Sequence, residues 1–340
     1  MKKFTLMMGS LLLAVSMVFV SCKTEEQEPT PEPTPTPTPE ATISNFFTIE
    51  GATLVQALMP AATADEAVQA FMNDNIIPGG SSFVTLVSEV AARKILVGLK
   101  DEVGYYEFVP QTSRDYEYEF MVLINQNIEL PDGSMTIQVA IMDEDGGISQ
   151  VWETTVQMLE VGTGSLQVSL SFDNAKDVDL HLIEPEYLDE YGYEASFYSR
   201  HIYYGNRVSD NGGELDLDSN PSCSLDYVNN ENITYNDSLA WVAPGTYKVY
   251  VDLYKNCDPE VATNYVVVVS YGGVVIASKA GVFQVDAPST LNPINEDYVE
   301  ENEPFLSFTI GDRGQKKVKS FEPAPMTQSA IEKEAMAAHK

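Results

Sequence analysis

The segment 177–185 reads DVDLHLIEP, and the segment 244–257 reads PGTYKVYVDLYKNC. In each segment apolar side chains recur at every second residue, which is the period of a β-strand that buries one face. Apolar runs at Leu166–Phe172 and Thr263–Tyr271 end at turn residues and predict further strands. Together these segments predict a β-sandwich over residues 165–311.

The other predicted strands of this sandwich are short and separated by turns. They cover residues 178–183, 246–253, 274–277, 282–285 and 305–310. The pair Gly272-Gly273 predicts a hairpin. The acidic stretch 286–303 has no periodicity and predicts a loop, and we assign no role to the tail 312–340.

Residues 44–161 predict a first β-sandwich, joined to the second by the Gly-Thr-Gly of residues 162–164. Its predicted strands cover residues 46–58, 82–89, 94–99, 116–124, 135–142 and 149–159. Many short strands at regular spacing are typical of an immunoglobulin-like fold. Residues 64–72 predict one helix, with Thr63 as N-cap and Glu66 completing a capping box. The predicted fold class is therefore all-β, with two β-sandwich domains in series.

Several short motifs of the second sandwich occur in the order seen in one bacterial family. They are DVDLH at 177–181, YGN at 204–206, GGELD at 212–216, NNEN at 229–232 and PGTY at 244–247. Through these motifs the segment 165–285 resembles the YfaP-like family of secreted β domains. The resemblance implies a β-sandwich module in an envelope-associated protein, and it implies no reaction. The tyrosine-rich insert 186–200 departs from the short turn expected there.

Acidic residues of the second sandwich come in pairs two residues apart. Residues two apart on a strand share a face, so each pair places like charges side by side. The predicted ligands of a neutralising cation are Asp177, Asp179, Asp216, Asp218, Asn220 and Glu231. Calcium is favoured over magnesium because its larger shell accepts flexible oxygen ligands, and zinc is disfavoured because no cysteine or paired histidine is spare. A solvated acidic strand end is the alternative interpretation.

The N-terminal segment has the pattern of a bacterial signal peptide, with two lysines before a short apolar run. Cys22 follows the small residue Ser21, an arrangement that resembles the lipobox of lipoproteins. Residues 1–21 are therefore predicted to be removed and Cys22 to be acylated, which anchors the chain in the lipid of the outer membrane. The linker 22–43 is acidic and then alternates Pro and Thr, and its Pro-Thr run at residues 29–39 predicts an extended stalk on the order of 35 Å long. An acidic run at this place resembles the export signal of surface lipoproteins, so we expect the chain to face the cell surface.

The chain carries a net charge of −32, from 51 acidic and 19 basic residues. Such a field repels nucleic acid and anionic lipid headgroups, so nucleic acid is excluded as a partner. It suits metal cations, basic protein patches and neutral glycans. In an exported protein the two remaining cysteines, Cys223 and Cys257, predict a disulfide.

The sequence contains no HExxH zinc motif and no GxSxG nucleophile elbow. His181 lies in an apolar run, where a histidine in the core or at its rim is expected. Carboxylates are abundant, but glycoside hydrolysis requires a pair at a defined separation, which composition does not give. The chain is therefore predicted not to be an enzyme.

Tyrosines gather between residues 187 and 204, and Tyr198, Tyr203 and Tyr204 are predicted to bind a ligand. Tyrosine offers an apolar face and a hydroxyl that protein and glycan partners both use, and packing in the core is the alternative role. The predicted function is a non-enzymatic surface module that binds an extracellular protein or glycan. The competing hypotheses are a carboxylate-based, glycan-processing hydrolase and a structural envelope component without a ligand.

Overall fold

The structure is a computed structural model that describes residues 42–111, 116–188, 192–236, 240–290 and 294–311. The predicted signal peptide, Cys22, the Pro-Thr linker and the tail 312–340 lie outside these residues. Strands make up 47% of the structure and helices 6%, so the predicted all-β sandwich fold is confirmed. Within the described ranges, no helix has the length and apolar character needed to span a membrane.

The first sandwich consists of a four-stranded sheet and a six-stranded sheet. Its strands are β1 (Phe47–Ile49), β2 (Thr53–Val55), β3 (Val68–Phe71), β4 (Asn75–Ile76), β5 (Ser81–Ser88), β6 (Lys94–Leu99), β7 (Tyr105–Phe108), β8 (Glu117–Ile124), β9 (Ser134–Met142) and β10 (Trp152–Met158). The sheets have the orders β1-β8-β5-β3 and β2-β7-β6-β9-β10-β4. Side chains from both sheets, among them Val84, Phe120 and Ile137, form one apolar core. The immunoglobulin-like topology and the division into two domains stay predictions.

The second sandwich pairs a five-stranded sheet with a four-stranded sheet, in the orders β14-β15-β11-β17-β18 and β13-β12-β16-β19. Its strands are β11 (Leu166–Phe172), β12 (Asp177–Ile183), β13 (His201–Ile202), β14 (Gly213–Leu217), β15 (Asn230–Tyr235), β16 (Gly245–Lys255), β17 (Thr263–Tyr271), β18 (Val274–Phe283) and β19 (Leu306–Ile310). The helical segments are α1 (Phe197–Arg200), α2 (Glu296–Glu301) and the 3₁₀ turns Ile43–Asn45 and Pro221–Cys223.

Strand β12 has one apolar face and one polar face, and both faces are buried. The residues that join the core between the sheets are Val178, Leu180 and Leu182. The alternate residues, which point the other way, are Asp177, Asp179 and His181. On the neighbouring strand β16, Asp252 lies directly opposite Asp179. The fold therefore buries acidic side chains that an ordinary strand would leave in water.

The two sandwiches contact one another through an apolar patch. Met121 of β8 packs with Val266 and Val268 of β17 in a small cluster of buried side chains. The chain between the sandwiches runs close to β15, because a Cβ placed on Gly164 would lie 1.7 Å from the carbonyl oxygen of Tyr235. A glycine is therefore required at this point of the joint.

The helix predicted over residues 64–72 is wrong. Val68–Phe71 is instead strand β3, which pairs antiparallel with β5 and alternates buried and exposed side chains. The Thr63 hydroxyl accepts the Ile148 amide at 2.8 Å rather than capping a helix. Pairing with the sheet has overridden the local capping signal, as tertiary context often does.

Three further segments differ from the sequence prediction. The strand expected over 46–58 is interrupted at Gly51, whose φ is +73°. The strands expected at 274–277 and 282–285 form one continuous strand, β18. The loop expected at 286–303 contains α2. Strands β4, β7, β13, β14 and β15 are absent from the prediction because they are short or carry many polar side chains.

The predicted disulfide between Cys223 and Cys257 is formed. It ties the loop 218–229 to the residues that follow β16. The loop is also held to β12, because the Ser222 amide donates a hydrogen bond to Asp177 Oδ2 at 2.8 Å. Both attachments fix the segment that begins with the predicted ligand Asp218.

Replacing both cysteines of this disulfide with serine is expected to lower the free energy of unfolding by about 3 kcal/mol, because the bond closes a loop with a sequence separation of 34. Urea unfolding of the purified chain measures the change. Reduced and alkylated wild-type chain should unfold at the same urea concentration as the double variant. A midpoint that does not move after reduction would contradict the stabilising role of the disulfide.

Candidate metal centre

Three carboxylates from separate strands meet at one edge of the second sandwich. Asp179 belongs to β12, Asp218 follows β14, and Glu231 belongs to β15. One oxygen of each residue lies within 4.8 Å of the other two. Asp179 and Glu231 are buried, and the Asp218 side chain is 15% exposed. We call these residues the carboxylate cluster.

Two oxygens of the carboxylate cluster have no hydrogen-bond partner within the part of the chain that the structure describes. Glu231 Oε2 accepts the Leu180 amide at 2.7 Å. Glu231 Oε1 and Asp179 Oδ2 are buried and accept no hydrogen bond. Buried polar atoms are nearly always paired, because an unpaired one costs about 1–3 kcal/mol, and more when it is charged. The unpaired oxygens therefore mark a place that suits a positive group.

Mutual repulsion within the carboxylate cluster is large. At the upper limit of their separation, 4.8 Å, and with an effective dielectric constant of about 20, two unit charges repel by about 3.5 kcal/mol. Three ionised carboxylates would thus cost roughly 10 kcal/mol, comparable with the whole net stability of a typical protein. Arg207 Nη1 lies 3.7 Å from Asp218 Oδ2, but its side chain is 47% exposed, so solvent weakens the attraction. The cluster requires a cation or protonated carboxyl groups.

Burial and repulsion both raise the pKa values of the carboxylate cluster. Burial foremost, and then the charges of Asp177 and Asp218, raise the pKa of Asp179 to about 8. Burial and the Asp179 charge raise the pKa of Glu231 well above its ordinary value. Burial raises the pKa of Asp218, although Arg207 opposes the change. Without a cation, the folded protein therefore retains protons on this cluster at neutral pH.

Asp177, which the sequence analysis includes among the predicted ligands, lies beside the carboxylate cluster and is not one of its three members. Burial raises its pKa to about 6, although the hydrogen bond from the Ser222 amide opposes the change. Its charge also raises the pKa values of Asp179 and Glu231. Asp177 therefore adds to the negative field of the cluster, and one of its oxygens is held by the loop 218–229.

Asp216 lies outside the carboxylate cluster, which corrects the predicted pairing of Asp216 with Asp218. The register of β14 against β15 shifts by one residue between Leu215 and Leu217, so Asp216 is an extra residue of the kind that forms a β-bulge. Its carboxylate accepts the side-chain amide of Asn232 at 2.8 Å, on the face of β15 opposite the cluster. The extra residue brings Asp218, and not Asp216, to the cluster.

Asn220 is buried but also lies outside the carboxylate cluster. Its Nδ2 donates to the Lys176 carbonyl and to Asn229 Oδ1, both at 3.0 Å. Its Oδ1 accepts the amides of Asp226 at 2.9 Å and Tyr227 at 3.1 Å. The side chain thus shapes the loop that follows Asp218 and has no oxygen to spare for a cation.

The predicted ligand-binding tyrosines lie over the polar face of β12. Tyr198 is 60% exposed, and Tyr203 and Tyr204 are half-buried. The Tyr203 ring stacks on His201 at a centroid distance of 4.2 Å and meets Tyr204 edge-on at 5.1 Å. Burial foremost, and the nearby Asp179 charge among other causes, raise the pKa of Tyr204 to about 12. The tyrosines are therefore neighbours of the carboxylate cluster.

Asp252 borders the carboxylate cluster and His201 contacts the neighbouring His181, and sequence analysis missed both roles. Asp252 is buried opposite Asp179, and burial raises its pKa. His201 is hydrogen-bonded to His181, and burial lowers the pKa of His201 to about 3 and that of His181 well below its ordinary value. An aspartate inside the otherwise apolar run VYVDLY was the signal that could have revealed Asp252.

Comparison of the chain with protein-family models gives no matching family, and comparison with curated proteins gives no match. The resemblance of residues 165–285 to the YfaP-like family therefore stays a prediction.

The raised pKa values predict that the chelated protein is more stable at pH 7 than at pH 9. A folded-state pKa of about 8 for Asp179, against an ordinary 3.8, means that the folded state binds more protons than the unfolded state in this range. Stability then falls as the pH rises through 8, by up to about 1.4 kcal/mol per pH unit for each proton. Thermal melting in EDTA from pH 7 to pH 9 measures the slope.

Asp179→Asn is the matched variant, since it keeps the shape of the side chain and removes the charge. It should melt higher than the wild type at pH 9 in EDTA and lose most of the slope. The lower limit of the measured range is pH 7 because of His181 and His201. Their pKa values are lowered in the folded state, so protonation of these histidines favours the unfolded state below about pH 6.5. Equal slopes in the variant and the wild type would contradict the raised pKa of Asp179.

Proposed function

We propose that the carboxylate cluster binds Ca²⁺ and that the chain is a non-enzymatic, calcium-stabilised module that binds an extracellular protein or glycan. The observation that carries this proposal is the convergence of three carboxylates, two of which present buried oxygens without a partner. The alternative of a solvated acidic strand end does not agree with exposures of 3% for Asp179 and 1% for Glu231.

Calcium is the cation that suits this ligand set best. The cluster offers oxygen atoms only, which are the ligands that hard cations prefer. These oxygens come from three separate segments, and calcium accepts such irregular shells of six to eight oxygens, with water completing the set. Magnesium demands a near-ideal octahedron, and zinc favours nitrogen or sulfur ligands.

A calcium ion at this place would join the two sheets of the second sandwich. Asp179 belongs to one sheet, and Glu231 belongs to the other. Asp218 starts the loop 218–229, so the ion would also hold that loop against β12. Because the ion offsets the repulsion between the carboxylates, the stability of this edge would depend on the calcium concentration.

The polar face of β12 carries the proposed ligand surface next to the ion. Tyr198 is the exposed member, and it lies near enough to Tyr203 to raise the pKa of that phenol, after burial. Tyr204 is close to both Tyr203 and Asp179, because both contribute, after burial, to the raised pKa of its phenol. Exposed and half-exposed tyrosines beside an ion form a surface on which protein loops or sugar rings can stack.

The proposed location is the cell surface, with the chain anchored in the outer membrane through acylated Cys22. The signal-peptide pattern and the Pro-Thr linker support this location. The disulfide between Cys223 and Cys257 agrees with an oxidising compartment. Calcium outside cells reaches concentrations at which even weak sites, with Kd of about 0.1–1 mM, are filled.

Calcium is expected to raise the melting temperature of the purified full chain. A ligand that binds only the folded state stabilises it by about 2.7 kcal/mol at one hundred times its Kd. Asp218→Asn and Glu231→Gln should lose most of this response, because each removes one charged ligand while keeping the shape of the side chain. Scanning calorimetry at pH 7.5, in EDTA and in 0.1–10 mM calcium, measures the shifts.

Asp216→Asn is the matched control for calcium binding, since Asp216 belongs to the same acidic segment and lies outside the carboxylate cluster. It should keep the full calcium response. Identical wild-type melting curves in calcium and in EDTA would overturn the calcium proposal. A response that disappears in Asp216→Asn and persists in Asp218→Asn would place the ion elsewhere.

The purified full chain is expected to bind a subset of a glycan and surface-protein array in calcium, and to lose that binding in EDTA. Tyr198→Ala should weaken binding at least about fivefold, the effect of removing a contact worth more than 1 kcal/mol. Tyr227→Ala is the control. Tyr227 is exposed to a similar extent, 63%, but it belongs to the loop 218–229 and not to the tyrosines over β12. Cleavage of an arrayed glycan would instead favour the hydrolase hypothesis.

A further inference from the structure

Asp179 also belongs to a second group of ligand atoms. Asp179, His181 and Asp252 each offer one atom within 4.8 Å of the other two, and all three residues are buried. Asp179 and Asp252 face each other across β12 and β16, and His181 is the next residue on the same face of β12. Two neighbouring strands of one sheet therefore fix the positions of all three groups.

The imidazole of His181 is held in a defined orientation. Its Nδ1 is hydrogen-bonded to His201 Nε2 at 2.9 Å. The Tyr203 ring stacks on His201 at 4.2 Å and on His181 at 5.3 Å, which fixes the planes of both rings. A histidine that is hydrogen-bonded through one ring nitrogen, with the other nitrogen left for an ion, is the usual arrangement of a metal ligand.

The second ring nitrogen of His181 has no hydrogen-bond partner among the described residues. The residue is fully buried, and its Nε2 makes no hydrogen bond. Asp179 Oδ2 is unpaired in the same way. In the tautomer in which His181 donates its Nδ1–H to His201, Nε2 carries a lone pair, which a buried site leaves unsatisfied unless a cation or a donor is present.

We propose that Asp179, His181 and Asp252 form a second metal site, which binds a divalent first-row transition ion and shares Asp179 with the carboxylate cluster. Zinc matches the site best, since three protein ligands of the nitrogen and oxygen type leave one position for water. Calcium does not suit this site, because it prefers shells made of oxygen alone. The inference does not depend on the calcium proposal, because His181 and Asp252 lie outside the carboxylate cluster.

Cobalt is the probe, because Co²⁺ occupies zinc sites and absorbs visible light in a way that reports its coordination. Untagged full chain, stripped with chelator and then held in 5 mM calcium at pH 7.5, is titrated with Co²⁺. One equivalent should bind with a visible d–d spectrum, and added zinc should displace it. Asp252→Asn should weaken cobalt binding at least about 100-fold, since loss of an outer-shell partner alone costs 10–100-fold, while the calcium-induced melting shift remains.

The two sites are told apart by reciprocal variants. Asp218→Asn should lose the calcium response and keep the cobalt spectrum, and Asp216→Asn should keep both. His181→Gln provides a second test of the nitrogen ligand, with circular dichroism confirming that it folds. Absence of a cobalt spectrum in the wild type would overturn the proposal. So would a spectrum that Asp252→Asn leaves intact and Asp218→Asn removes, because the cobalt would then occupy the carboxylate cluster. Failure of the calcium response alone leaves the cobalt result unaffected.

Discussion

The hydrogen bond from the Leu180 amide to Glu231 Oε2 joins the two sheets of the second sandwich where they approach at one edge. Strand β13 pairs with β12 only at Leu182 and Ile183, so Leu180 has no strand neighbour on that side. A buried amide must find an acceptor, and here the acceptor is a carboxylate that reaches across from β15. The edge is closed by an ionisable carboxyl group, and the burial of that group determines what else can lie near it.

The segments around Glu231 are held in place by the protein itself, independently of the proposed ion. Asp218 follows a strand that pairs with β15, and the loop after it is fastened by the disulfide at Cys223 and by the hydrogen bond from Ser222 to Asp177. Ligands that are already positioned lose little conformational freedom on binding, so more of the interaction free energy appears as affinity. The same attachments keep the carboxylates buried and close together, and burial first and their mutual repulsion second raise the pKa values of Asp179 and Glu231.

Sequence periodicity predicted the features that depend on neighbouring residues along one strand. The alternation in β12 placed Asp177 and Asp179 on one face, and the continuous apolar run of β17 indicated a strand with neighbours on both sides. The same alternation gave the wrong result for Asp216 and Asp218, because one extra residue in β14 reverses the faces of the residues that follow it. Such an extra residue depends on the partner strand and leaves no mark in the alternation of a single segment.

The pairing of strands that are distant in sequence could not be predicted for the same reason. The capping box at Thr63 is a sound local signal, but the adjacent strand β5 offers the segment a full set of backbone partners, and the core accepts its alternate side chains. His181 and His201 are 20 residues apart and have no recognised metal spacing, yet pairing of β12 with β13 brings their rings together. The contacts that give these residues a chemical role exist only after the sheets have formed.

Charge balance gives a reason for two ions rather than one. Five carboxylates are linked in this region. Four of them are linked through raised pKa values, namely Asp177, Asp179, Asp218 and Glu231, and Asp252 shares a ligand group with Asp179. Fully ionised, they carry five negative charges, and Arg207 supplies one positive charge at the rim. A single divalent ion would leave the buried region strongly negative, at a cost of several kcal/mol at these separations. Two divalent ions together with Arg207 would neutralise it, and Asp179, which lies between the two ligand groups, would then interact with both ions.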